Sequence, residues 1–155
     1  MAILALLRRG GDSVDTLLVQ QYRPPVDAVT VELPAGLIDE GETAEEAALR
    51  ELKEETGYVG SVALTSGVVA MSPGLTDEAI KLCVVEVDLN DPVNQAPEQS
   101  LEETEFIQVH RVPLKDLLPT LKSMERDGLM PFAGLYTLAL GLSVGLQGGS
   151  RVPPA

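Results

Sequence analysis

The 155-residue chain predicts an α/β fold, with one mixed β-sheet packed between helices in one domain. Three observations predict it. The length suffices for one domain with a sizeable core, and 45% hydrophobic content fits a globular chain. Short apolar runs read as strands and mix with helical patterns, without the regular alternation of a parallel βαβ sheet. Between residues 43 and 57 lies one helix whose two ends are both marked in sequence.

Residues 2–8 and 16–20 read as strands, with Gly10-Gly11-Asp12 as the turn between them. Tyr22-Arg23-Pro24-Pro25-Val26 reads as an extended loop, because a residue before proline avoids the helical region. Residues 30–33 form a short strand ending at Pro34-Ala35-Gly36. Thr43-Ala-Glu-Glu46 has the form of a capping box, so the helix starts at about Ala44, and Gly57 is its natural C′ residue. Ala48, Leu49 and Leu52 share one arc, expected to be buried, while Glu46 and Lys53 point to water.

Residues 61–71 and 80–87 are strands joined by Ser72-Pro-Gly-Leu-Thr-Asp77. Residues 89–103 are polar, contain Pro92 and Pro97, and read as a mobile loop. Residues 105–110 form a strand, and 114–124 and 132–146 form helices. One domain spans 1–147, and the Gly/Pro-rich tail 148–155 is expected to be disordered.

Formal net charge is −13, which disfavours nucleic acid and anionic membrane as partners. An anionic substrate would therefore need local cations. Cys83 is the only cysteine and sits in an apolar strand, so it reads as a small buried residue in a reducing compartment. With one cysteine and one histidine, His110, a zinc site is not expected. His110 reads as a surface or strand-end residue. No secretory signal is evident, and the apolar stretch 135–146 is too short to span a bilayer. Cytosol is the default location, with the nucleus left open.

The chemistry concentrates in the helix. Glu51, Glu54 and Glu55 stand at i, i+3 and i+4 and share one face. Two charges roughly 6 Å apart at an effective dielectric of about 20 repel by on the order of 3 kcal/mol. A divalent cation reverses that sign, so the face suits a hard, oxygen-seeking metal such as Mg²⁺. Arg50 lies beside this arc and can pair with one of its carboxylates. The bland alternative is a solvated acidic face.

The wider pattern decides between them. Gly36, five residues, Glu42, seven residues, then Arg50-Glu51-Leu52-Lys53-Glu54-Glu55-Thr56-Gly57-Tyr58 resembles the Nudix box of the Nudix hydrolase superfamily. Tyr58 is an aromatic variation at the last apolar position. Gln20-Gln-Tyr-Arg-Pro-Pro25, Val31-Glu-Leu-Pro-Ala-Gly36 and Pro73, sixteen residues after Gly57, resemble the ADP-ribose (ADP-sugar) pyrophosphatase subgroup. The resemblance implies an α/β/α sandwich with a mixed sheet. It implies Mg²⁺-dependent hydrolysis of ADP-ribose or a related ADP-sugar, with Mn²⁺ as a substitute metal. The alternatives are a Nudix hydrolase of another nucleoside diphosphate derivative, such as an oxidised nucleotide, and a catalytically silent Nudix domain.

Site roles follow from the same resemblance. Glu51 and Glu55 are the leading metal ligands, joined by the Ala35 carbonyl, with Glu54 as a third ligand or the support of a bridging water. Arg50 and Glu42 orient this set, and Arg50 counts with Glu54 and Glu105 among the catalytic residues. The general base is Glu105, with Glu103 as runner-up and solvated loop acids as the alternative. Arg23, Gly36, Pro73 and Gly74 are the substrate contacts. A competing reading makes Arg23 a surface residue fixing the Pro-Pro loop. The resembling enzymes form homodimers through an N-terminal segment that also supplies adenine-stacking aromatics. This sequence starts at the first sheet strand and has no tryptophan, so either the chain is a fragment or shortened isoform or it binds its nucleotide differently, and dimerisation is left open.

Overall fold

Leu17 and Leu18 are neighbours on one strand and point to opposite faces, yet both are fully buried. That strand therefore needs a covering layer on each side. The computed structural model, which describes residues 1–11 and 13–146, supplies both layers. Asp12 and the 148–155 tail lie outside the described residues.

In chain order the elements are β1 (Ala2–Arg8), β2 (Val14–Arg23), β3 (Ala28–Glu32), α1 (Ala44–Thr56) and β4 (Ser61–Thr65). Then come β5 (Val69–Ala70), β6 (Ala79–Ile80), β7 (Leu82–Asp88), β8 (Gln108–Pro113), α2 (Leu117–Arg126), β9 (Met130–Pro131) and α3 (Ala133–Leu146). Seven strands form a mixed sheet in the order β4-β7-β1-β2-β3-β9, with β8 added on β2. β1 pairs β7 in parallel and β3 pairs β9 in parallel, while the other pairings are antiparallel. Val19 pairs with both Glu32 and Val109, so β3 and β8 flank β2 on opposite edges. β5 and β6 make a separate two-stranded hairpin.

One core packs Ile3, Ala5 and Leu7 of β1 and Cys83, Val85 and Val87 of β7 beneath α1. The other packs Leu18 and Val31 against α2 and α3 through Leu117, Leu121, Leu135 and Ala139. The result is the expected α/β/α arrangement. Cys83 is free and buried, as its apolar strand predicts. Among the described residues no helix is long and apolar enough to cross a membrane.

Several expectations need correction. Tyr22 and Arg23 complete β2, and only residues 24–27 leave the sheet, as a short 3₁₀ turn over Pro24–Val26 closed by Asp27. The single strand expected over 61–71 divides at Ser66-Gly67-Val68 into β4 and β5. β8 begins at Gln108 rather than Glu105 and runs to Pro113. Leu49 is 37% exposed; the buried stripe of α1 is Ala44, Ala47, Ala48 and Leu52. Small alanines let the helix lie close to the sheet, which leaves Leu49 outside the contact.

Residues 89–103 are pinned rather than mobile. Asn94 is buried and donates to the carbonyls of Val59 and Asp88, both at 2.9 Å. Gln99 Nε2 donates to the carbonyls of Glu55 at 2.6 Å and Ile107 at 3.1 Å. The Ser100 N–H donates to the Glu54 carbonyl at 2.9 Å. The last carbonyls of α1, left unpaired by helix geometry, thus hold the loop.

Candidate active site

α1 carries the site, and local chemistry fixes both its ends. The Thr43 hydroxyl accepts the Glu46 N–H at 3.2 Å while Glu46 Oε2 accepts the Thr43 N–H at 2.9 Å, closing the capping box. Gly57 ends the helix with φ of +76°. A Cβ there would stand 2.4 Å from the Glu98 backbone nitrogen, so only glycine lets the pinned loop pass.

Between these ends, Glu51, Glu54 and Glu55 open onto one cavity of about 320 Å³. Asp39, Glu102 and Glu105 also line it, so six carboxylates face two guanidiniums, those of Arg23 and Arg50. Gly36 borders it too: a Cβ there would lie 1.9 Å from Glu51 Oε1. The absent side chain is the space that the Glu51 carboxylate occupies.

Arg50 binds the acidic face together. Nε and Nη2 donate to Glu42 at 3.0 and 2.9 Å, and Nη1 donates to Glu51 at 2.9 Å and Glu54 at 3.1 Å. Nη2 also donates to the Leu37 carbonyl at 3.2 Å. These bonds, led by those to Glu42, hold the guanidinium charged far above neutral pH. The same bonds, with the Asp39 N–H, hold the Glu42 carboxyl below its usual range.

Glu55 is different. It is 3% exposed and accepts one backbone N–H, that of Ala35, at 3.0 Å. Burial, then the charges of Glu51 and Glu105, push its carboxyl up to about 8 against the Ala35 bond and Arg23. Burial also raises Glu51, although Arg50 opposes it.

The donors fit a hard divalent cation: carboxylate oxygens, the neighbouring Ala35 backbone, and one buried carboxylate whose charge is under-compensated. Among the described residues no three acidic, histidine or cysteine side chains converge closely enough to enclose an ion. Arg50 instead bridges Glu51 and Glu54. A bound cation would take over part of that neutralisation.

The structure thus brings Ala35, Gly36, Arg23, Arg50, Glu51, Glu54, Glu55 and Glu105 around one cavity. Glu103 is exposed and does not line it. Pro73 and Gly74 are exposed in the turn before β6; their neighbour Met71 lines an adjoining cavity of about 490 Å³. That cavity shares Arg23, Ala35, Gly36 and Leu37 with the first. Sequence reading did not single out Asp39, Glu102, Gln99 or Glu32. A carboxylate inside the apolar run Val31-Glu32-Leu33 was the available signal for Glu32.

Comparison with known proteins identifies the family. A NUDIX domain family model matches residues 1–131. An uncharacterized Nudix hydrolase of Schizosaccharomyces pombe is 42% identical over 147 residues, covering 95% of this chain and 71% of the relative. An ADP-ribose pyrophosphatase of Saccharomyces cerevisiae is 40% identical over 148 residues, covering 95% and 64%. An ADP-sugar pyrophosphatase of Mus musculus is 39% identical over 143 residues, covering 92% and 66%. The chain therefore spans about two thirds of the length of these relatives. A crystal structure of an ADP compounds hydrolase superposes with a TM-score of 0.59 at 23% identity, covering 97% of this chain and 75% of that one. This protein belongs to the Nudix hydrolase family.

Proposed function

We propose that the chain hydrolyses the diphosphate of ADP-ribose or a related ADP-sugar, giving AMP and a sugar phosphate, with Mg²⁺ as cofactor. One observation carries the reading: six carboxylates and two guanidiniums surround a cavity against the buried Glu55. The substrate class is supported by relatives about 40% identical that are named for ADP-ribose and ADP-sugars.

Glu51, Glu55 and the Ala35 carbonyl hold the metal, with Glu54 as a further ligand or water support. Bound Mg²⁺ supplies charge neutralisation at the phosphates and a more acidic water. Arg23 binds a diphosphate oxygen, while Gly36 leaves room for the Glu51 carboxylate beside it. Glu105, which now accepts the Glu102 N–H at 3.0 Å, takes the proton of the attacking water. The new oxygen–phosphorus bond forms as the bridging phosphorus–oxygen bond breaks. Arg50 keeps Glu51 and Glu54 in place throughout.

The test is a panel of ADP-ribose, ADP-glucose and oxidised nucleotides, assayed with Mg²⁺, with Mn²⁺ and with chelator. Cleavage of ADP-ribose to AMP and ribose 5-phosphate only with metal is the expected result. An intact ADP-ribose beside a cleaved oxidised nucleotide would overturn the substrate. Binding of ADP-ribose without turnover would make this a silent domain.

A further inference from the structure

Arg23 stands where three cavities meet: the carboxylate cavity, its larger neighbour, and an apolar one beside β9. Its guanidinium is committed on one side. Nε donates to Glu32 Oε1 at 2.8 Å and Nη2 donates to Glu32 Oε2 at 2.9 Å, a bidentate fork. The Thr30 hydroxyl donates to Glu32 Oε1 at 2.5 Å and also lies 3.1 Å from the Gln21 carbonyl oxygen. The Glu32 side chain is 18% exposed and that of Arg23 41%. Nη1 has no hydrogen-bond partner among the described residues.

Charge balance makes this commitment matter. Arg50 already bonds Glu51 and Glu54. Arg23 already feels the Glu55 charge. Set loose, its long side chain would have the cavity's remaining carboxylates as partners. An arginine seated on Glu55 or Glu105 would block the donors that a cation needs, and would leave the diphosphate without its own.

We infer that Glu32, steadied by Thr30, is a positioning residue that keeps Arg23 off the carboxylate cluster and presents its free edge to the substrate's diphosphate. The substrate half rests on the proposed function; the sequestering half does not. A carboxylate is required for this job, because an amide cannot hold both donors of the fork with charge.

The test compares the full chain with Glu32→Gln, Arg23→Ala and the double variant. Mg²⁺ binding is read by calorimetry, and KM and kcat are read for ADP-ribose. Glu32→Gln is expected to weaken Mg²⁺ binding about fivefold and raise KM about tenfold, with kcat falling less than threefold, the scale of one net hydrogen bond. In the Arg23→Ala background the same change should shift neither quantity. Unchanged Mg²⁺ binding in Glu32→Gln, or an equal loss without Arg23, overturns the inference. If Glu32→Gln does not fold, Thr30→Val, which keeps both charges, carries the same cycle with shifts of about twofold. If ADP-ribose is not cleaved, the proposed substrate fails while the Mg²⁺ cycle still decides this inference.

Discussion

Replacing Glu55 by glutamine in chelator should stabilise the protein, and the gain should depend on pH. Glu55 is 3% exposed, and burial holds its carboxyl at about 8 rather than the usual 4.5. A carboxyl whose folded pKa lies above its unfolded one favours folding fully below the unfolded value. That contribution disappears as pH rises through the folded value. The difference corresponds to on the order of 5 kcal/mol between those limits. Water in the adjoining cavity screens the charge, so about 2 kcal/mol is the expected effect. Glutamine keeps the shape and an acceptor for the Ala35 N–H, so it removes the titration and little else. Urea denaturation in EDTA should find wild type and Glu55→Gln equally stable near pH 4.5, and the variant more stable by about 2 kcal/mol at pH 8. Mg²⁺ should then stabilise wild type at pH 8 far more than the variant. Parallel pH profiles in EDTA, or a less stable variant at pH 8, would refute the claim that this carboxylate is buried against its own charge.

Three further outcomes follow from the same geometry. Gly57→Ala should cost at least about 1 kcal/mol more than Gly128→Ala: both sites are left-handed, but only Gly57 meets backbone, that of Pro97 and Glu98. Equal costs in urea denaturation would mean that the loop yields. Gln99→Ala should destabilise by about 2 kcal/mol, speed amide exchange over residues 98–106 and lower kcat more than it raises KM; unchanged exchange would dissociate the loop from α1. Arg50→Lys should lower the melting temperature in EDTA by several degrees, because one ammonium cannot hold Glu42, Glu51 and Glu54 together. Excess Mg²⁺ should restore part of that loss, and identical melts in EDTA would remove Arg50 from the neutralising role.

What could be read in the sequence was what local chemistry dictates. The limits of α1 were legible at both ends because a capping box and a left-handed glycine are short-range devices. The strands β1 and β7 were legible because apolar runs must be buried. The facing of Glu51, Glu54 and Glu55 followed from helix geometry. What failed depended on distant partners. Residues 89–103 looked mobile because Asn94 and Gln99 find their acceptors 35 and 44 positions away. Leu49 looked buried because an arc on a helical wheel does not say how near the sheet stands. β9 is two residues long and exists only as a partner of Thr30 and Val31. Glu32 was silent because its meaning lies in Arg23, across a strand pair.

The final turn of α1 has a double duty with a mechanical consequence. Side chains of Glu54 and Glu55 face the cavity, while the carbonyls of those same two residues suspend Ser100 and Gln99. The acid that lies across the cleft, Glu105, therefore hangs from the peptide units that bear the opposing carboxylates. Unwinding by a single turn would disarm both banks of the cleft together, so warming should extinguish turnover in one step rather than by gradual erosion of affinity.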